Sequence, residues 1–215
     1  MNRDFHDISS MRKNYESSEL LESNTPESPF ELFSIWFLEA KNSSIHEANA
    51  MVLATCDSDS KPSARVVLLK SVSAETGFSF FTNYSSRKGE ELANNPYVSI
   101  VFYWDLLERQ VRIEGQVEKL DALSNDTYFE SRPIGSQIGA VISPQSKKIE
   151  NKYVLQSLYD ELAQQDGKIK RPENWGGYTV KANKIEFWQG RPNRLHDRIV
   201  YDLIENNWMK YRLAP

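Results

Sequence analysis

Between Met51 and Leu120 the chain reads as five short runs rich in β-branched and aromatic residues. They are MVLATC, ARVVLLK, FSFFT, YVSIVFYW and RQVRIEGQVEKL, set off by Asp, Ser, Pro and Gly. Runs of this length between turn residues are strands. In the last of them Val111, Ile113, Gly115 and Val117 share one face, and Gln110, Arg112, Glu114 and Gln116 the other, the alternation of a half-buried strand. Further strands are predicted at about 177–188, 198–204 and 207–212. Helical periodicity occupies about 121–131, 134–142 and 150–165. Strands joined by tight turns, with helices inserted and no βαβ alternation, predict a mainly β chain of the α+β class. Its architecture would be an antiparallel barrel decorated by helices.

Upstream, Ser28-Pro29-Phe30-Glu31 is a capping box with proline at the first helical position. The helix it opens runs to about Lys41, with Phe30, Phe33, Trp36 and Phe37 on one stripe. Residues 1–28 are polar and read as a mobile N-terminal arm. Residues 29–215 read as one domain, long enough to bury a core without staples. Cys56 is the only cysteine, which excludes an internal disulfide and a cysteine-based zinc site. The arm carries no apolar stretch suited to a secretory signal, and Val66–Leu69 is far too short to span a membrane. A soluble cytoplasmic protein is expected.

The chain is acidic, with a formal net charge of −4, so nucleic-acid binding through a basic field is disfavoured. Its basic clusters suit a few phosphates instead. In NYSSRKGEEL, Ser85 or Ser86 would cap a helix with Arg87 and Lys88 in its first turn. Cations there oppose the helix dipole, so the pair is either solvated or closes on an anion held at the helix N-terminus. Arg65 and Lys70 differ in parity and would face opposite sides of a regular strand. They would serve two ligands, or one ligand and solvent, or simply mark strand ends. Tyr128, Arg132 and Ser136 recur every four residues, although Pro133 predicts a turn and a new helix near Ile134. Their hydroxyls and guanidinium are phosphate-ligand chemistry. In WQGRPNRLHDR, Arg194, His196 and Arg198 share a parity if the segment is extended, with Leu195 turned to the core. Such charged surroundings tune an imidazole. No H-E-x-x-H pattern suggests a metal, and no G-x-G-x-x-G or P-loop is present.

These segments, with ERQVRIEG, YFESRPIGSQIGAVISPQS, WGGY and the terminal RLAP, closely resemble the pyridoxine/pyridoxamine 5′-phosphate oxidase family from about Pro29 to Pro215. The resemblance implies an FMN-binding split β-barrel of antiparallel Greek-key type, with a C-terminal dimerisation region and FMN bound between the subunits of a homodimer. It implies FMN contacts from Arg65, Val66, Val67, Leu68, Phe81 and Thr82, with Arg87 and Lys88 on the cofactor phosphate. Gln110, Gln145, Ser146, Trp188 and Arg198 would add to them, some from the second subunit. The substrate phosphate would fall to Lys70, Tyr128, Arg132 and Ser136. Arg194, Leu195 and His196 would meet the pyridine ring, Arg194 and His196 as catalytic groups. Arg12 and Tyr15 match an Arg-x-x-Tyr element that the family places over the site. The implied reaction oxidises pyridoxamine or pyridoxine 5′-phosphate with oxygen to pyridoxal 5′-phosphate and hydrogen peroxide, without metal, membrane or nucleic acid. A non-catalytic flavin-binding split barrel is the rival, and the substrate-side residues argue against it.

Overall fold

The computed structural model describes residues 14–15, 19–165 and 167–215. Helix α1 (Pro29–Asn42) begins where the Ser28 hydroxyl accepts a hydrogen bond from the Glu31 N–H, with Pro29 at the first helical position. It buries Leu32, Phe33, Trp36 and Ala40. Phe33 is fully buried and makes edge contacts with Phe78 (5.0 Å between centroids) and Phe102 (5.2 Å). Burying one such ring contributes about 1.5–3 kcal/mol, so this stripe anchors the helix to the sheet.

The strands follow as β1 (Ala50–Cys56), β2 (Pro62–Leu68), β3 (Ser71–Ser73) and β4 (Gly77–Asn83). After α2 (Arg87–Asn94) come β5 (Tyr97–Trp104) and β6 (Arg109–Lys119). Helices α3 (Ala122–Ser131), α4 (Ile134–Ile142) and α5 (Lys152–Ala163) precede β7 (Trp175–Gln189), β8 (Asp197–Ile204) and β9 (Asn207–Arg212). Every pairing is antiparallel, in the order β2-β1-β5-β6-β7-β4-β3, with β8 on β7 and β9 on β8. Strand β4 lies beside β7 at the far side of β5 and β6, a Greek-key spatial order in which β6 reaches β7 through α3, α4 and α5 and not through a hairpin.

Strand β7 organises the molecule. Its first half pairs with β4, from Trp175 opposite Asn83 to Val180 opposite Phe78. Its second half pairs with β8, from Lys184 to Gln189. On its other edge β6 runs alongside almost throughout. The register shifts where Glu114 faces Lys184 but Gly115 faces Ala182, leaving Asn183 as the extra residue of a bulge. A bulge bends the strand and increases its twist, which curls the sheet into a half-barrel. Gly115 is required there, because a Cβ would lie 2.2 Å from the Lys181 carbonyl oxygen.

The expected strands and helices are all present, while the three-residue β3 was not anticipated. Residues 20–28, expected to belong to a mobile arm, are instead tied to the β8–β9 hairpin. Lys210 Nζ donates to the Thr25 carbonyl (2.9 Å), the Tyr201 hydroxyl to the Pro26 carbonyl (2.6 Å) and Arg212 Nη2 to the Leu20 carbonyl (2.7 Å). A polar composition does not prevent docking when main-chain carbonyls meet fixed cations. Among the described residues no helix is long and apolar enough to cross a membrane.

Candidate active site: a cationic cleft and a distant histidine loop

A cleft of about 680 Å³ opens between β2, β4 and helices α2 to α4. Arg65, Val66, Val67 and Leu68 of β2 line it, with Phe81 and Thr82 of β4. Lys88 enters from the first turn of α2, Tyr128 from α3, Ser136 from α4 and Gln145 from the segment after α4. Lys70 and Arg132 complete a set of four cations, and no Asp or Glu is among the lining residues. In a chain of net charge −4 this is a strong local excess.

The parity expected for Arg65 and Lys70 fails. Strand β2 ends at Leu68, and the chain turns so that the Lys70 N–H donates to the Ser79 carbonyl (2.8 Å). Both residues therefore border one cleft. The break at Pro133 occurs as expected, with α3 ending at Ser131 and α4 starting at Ile134. Tyr128, Arg132 and Ser136 still converge on the same space.

Lys88 Nζ donates to Thr82 Oγ1 (3.1 Å) and to Gln145 Oε1 (3.0 Å). Burial pushes its pKa down, the nearby Arg65 adds to this, and Glu91 opposes it. Arg87 does not line the cleft. Its Nε bonds Glu91 Oε1 at 2.8 Å and its side chain is 62% exposed. The cap is Ser86, whose hydroxyl accepts from the Gly89 N–H (3.3 Å). The expected grip by Arg87 and Lys88 together is thus divided between two partners. Ser146, next to Gln145, has left-handed backbone (φ 71°) and is not among the lining residues.

The cleft wall is aromatic. Phe81, Tyr128 and Trp175 stack nearly parallel, with centroids 3.9 Å apart for Phe81–Tyr128 and 5.5 Å for Phe81–Trp175. The Arg132 guanidinium lies 4.7 Å from the Trp175 ring centre, and its buried Nη1 has no hydrogen-bond partner among the described residues. Burial lowers the Arg132 pKa, with Tyr128 opposing. Trp175 was not singled out from the sequence, although it opens the WGGY segment.

A second group sits at the far end of β7. Trp188 faces Gln110 of β6 on one side and Arg198 of β8 on the other. The His196 ring lies 4.6 Å from Trp188, and Tyr15 packs edge-on against both, at 5.7 and 5.5 Å. The Arg191 N–H donates to His196 Nδ1 (3.1 Å), which leaves Nε2 to carry the proton of the neutral ring. Burial and the adjacent Arg194 lower the His196 pKa against the pull of Asp197, a shift that favours the neutral ring. Arg198 forms a two-pronged pair with buried Glu186 (2.9 and 3.1 Å). The extended geometry expected for 194–198 is not found. Asn193 and Arg194 take left-handed backbone (φ 56° and 62°), and Leu195, expected to face the core, is 68% exposed. Arg12 lies outside the described residues.

Neither Gln110, Trp188, Arg194, Leu195, His196 nor Arg198 lines the cleft. Phe81 faces Gly177, eleven positions before Trp188 on β7. At 3.3 Å per residue that is about 36 Å of strand. Within one chain the two groups are separate. The cleft suits one or two anionic groups beside a flat ring, and the second group offers an imidazole and an arginine on an aromatic base. Among the described residues no cluster of His, Cys, Asp or Glu could hold a metal ion.

A family model described as pyridoxamine 5′-phosphate oxidase matches residues 37–166. A second, described as the pyridoxine 5′-phosphate oxidase C-terminal dimerisation region, matches residues 175–215. A pyridoxine/pyridoxamine 5′-phosphate oxidase of Cyanothece sp. is 50% identical over 210 residues, covering 97% of this chain and 98% of that protein. The chloroplastic pyridoxine/pyridoxamine 5′-phosphate oxidase 1 of Arabidopsis thaliana is 50% identical over 216 residues. The match takes in 97% of this chain but 41% of that longer protein. Among solved structures, PhzG of Burkholderia lata, in complex with tetrahydrophenazine-1-carboxylic acid, superposes with a TM-score of 0.88 at 29% identity. It covers 93% of this chain and 99% of that one.

Proposed function

The chain belongs to the pyridoxamine 5′-phosphate oxidase family, and we propose that it works as an FMN enzyme whose site is completed across a homodimer. It is a flavoprotein oxidoreductase of vitamin B6 metabolism, converting pyridoxamine or pyridoxine 5′-phosphate to pyridoxal 5′-phosphate. The observation that carries the reading is the acid-free cleft with four cations and a stacked aromatic wall. Two phosphorylated molecules, cofactor and substrate, fit that donor set better than one. The unpartnered Arg132 Nη1 supports this, since a buried donor without an acceptor carries a cost that a bound phosphate oxygen would relieve.

Bound FMN would supply the redox chemistry, a two-electron oxidation at the substrate's 4′ carbon with oxygen as the final acceptor and hydrogen peroxide as the by-product. The chain's share is binding and orientation. Arg65, Lys88, Thr82 and Gln145 would hold the cofactor's phosphate end, with Val66 to Leu68 and Phe81 along its body. Arg87 and Ser146 would join from the cleft's edge. Lys70, Tyr128, Arg132 and Ser136 would clamp the substrate phosphate and fix the position of the reacting carbon. Gln110, Trp188, Arg194, Leu195, His196 and Arg198 would come from the partner subunit, with Tyr15 packed on Trp188 and His196. A neutral His196 with Nε2–H can donate a hydrogen bond to the substrate without placing a second full charge beside Arg194. The match of residues 175–215 to a dimerisation region supports the shared arrangement.

Purified protein should be yellow, release FMN and not FAD on denaturation, and generate peroxide with pyridoxamine 5′-phosphate. A flavin-loaded protein that produces no peroxide with either phosphorylated substrate would overturn the reading. Lys88→Ala should weaken FMN binding by about 1.5–3 kcal/mol, the range for hydrogen bonds to charged groups. Wild-type FMN affinity in that variant would remove Lys88 from the phosphate site.

A further inference from the structure

A buried carboxylate lies behind the cationic cleft, and none of the chemistry above uses it. Glu91 of α2 is 4% exposed. Its Oε2 accepts hydrogen bonds from Thr55 Oγ1 (2.5 Å), Ser63 Oγ (2.7 Å) and Arg65 Nη2 (3.2 Å). Its Oε1 accepts from Arg87 Nε (2.8 Å) and Ser63 Oγ (3.0 Å). Thr55 and Ser63 in turn accept from Arg65 Nη1 and Nη2, at 2.5 Å each. Burial pushes this carboxyl's pKa up, but the bonds from Thr55, Ser63, Arg87 and Arg65 outweigh it and hold the group at about 2. Glu91 is therefore ionised throughout the working pH range, and it touches one arginine on β2 and another on α2.

We propose that Glu91 is a positioning residue that fixes the Arg65 and Arg87 guanidinium groups in one geometry for the phosphate end of FMN. The proposal rests on the cofactor reading above. Arginine side chains carry large rotamer entropy, which a phosphate would otherwise have to freeze on binding. With its Nε bound to Glu91, Arg87 keeps both Nη groups for a ligand. Arg65 is locked against the cleft floor by four bonds to Leu53, Thr55, Ser63 and Glu91.

Charge and geometry make opposite predictions for Glu91→Gln. As a point charge, the carboxylate repels an incoming phosphate, and its field already reaches Lys88, so neutralising it would tighten binding. As a positioner it strengthens binding, because a glutamine amide offers one acceptor and one donor group, and the donor cannot pair with an arginine.

The test is fluorescence titration of the flavin-free protein with FMN and with riboflavin, which lacks the phosphate. Glu91→Gln should weaken FMN binding about tenfold or more, equivalent to roughly 1.4 kcal/mol or more, while riboflavin affinity stays near wild type. Glu90→Gln, on an exposed side chain that pairs with Lys147, should change neither. Unchanged or tighter FMN binding by Glu91→Gln would overturn the proposal, as would equal losses for FMN and riboflavin, which signify a merely structural role. Should Glu91→Gln fail to fold, Thr55→Val keeps the carboxylate but deletes one of its donors. It should lower the FMN-to-riboflavin preference in the same direction, and an unaltered preference overturns the proposal. A wild-type protein with no preference for FMN over riboflavin would instead refute the cofactor reading, and the proposal with it.

Discussion

A heterodimer of one Arg132→Met chain and one Arg194→Ala chain should recover roughly half of the wild-type kcat/KM, although each parent homodimer retains only a few per cent. The expectation follows from the separation of the cleft and the histidine loop along β7. If each working site takes its cleft from one subunit and its loop from the other, a two-fold dimer holds two composite sites. In the heterodimer both substitutions fall in one of them, and the other is intact. The two chains would be coexpressed with different tags, purified through both, and assayed at substrate well below KM. Were each site built within a single chain, every site would carry one defect, and the heterodimer would show only the mean of its parents. The two outcomes differ by about tenfold or more, if each substitution removes about 2 kcal/mol or more of binding to the transition state and so leaves a few per cent of the activity.

The elements were legible because their signals are local. The alternation of 109–120 gave β6, whose Val111, Ile113, Gly115 and Val117 are buried, and the capping box gave the start of α1. The same locality explains the failures. Side-chain parity holds only along an unbroken strand. Between Arg65 and Lys70 the strand ends at Leu68, and between Arg191 and Asp197 two residues adopt left-handed backbone. One such break resets every later orientation, so Leu195 emerged at the surface and Lys70 joined Arg65. The Glu91 hub was visible only as an i,i+4 pair with Arg87, a spacing usually found on solvated faces. Its burial depends on Thr55 and Ser63, paired across β1 and β2, which no short-range pattern reveals. The Tyr15 contact with Trp188 and His196 spans more than 170 positions, and the family resemblance alone had pointed to it.

Arg132→Met should raise KM for a phosphorylated substrate by about tenfold to a hundredfold without lowering the melting temperature of the ligand-free protein. The two halves share one cause. Arg132 lies over the Trp175 ring with Nη1 buried and unpartnered, and burial lowers its pKa, so the fold itself disfavours this charge. An unsatisfied buried donor costs about 1–3 kcal/mol. Methionine keeps an unbranched apolar stem against the indole and removes the stranded donor, which offsets the lost cation–π contact of about 0.5–2 kcal/mol. A phosphate changes the sign, because it supplies the missing acceptor, and a charged pair there is worth about 1.5–3 kcal/mol. The residue is thus tolerated by the empty fold and rewarded only by its ligand, the pattern of a site that trades stability for binding. Flavin content should be unchanged, and the preference for pyridoxine 5′-phosphate over pyridoxine should shrink by the same factor as KM rises. A melting temperature that falls by several degrees with KM intact would make Arg132 a structural cation. Equal losses on pyridoxine and its phosphate would place it elsewhere on the substrate.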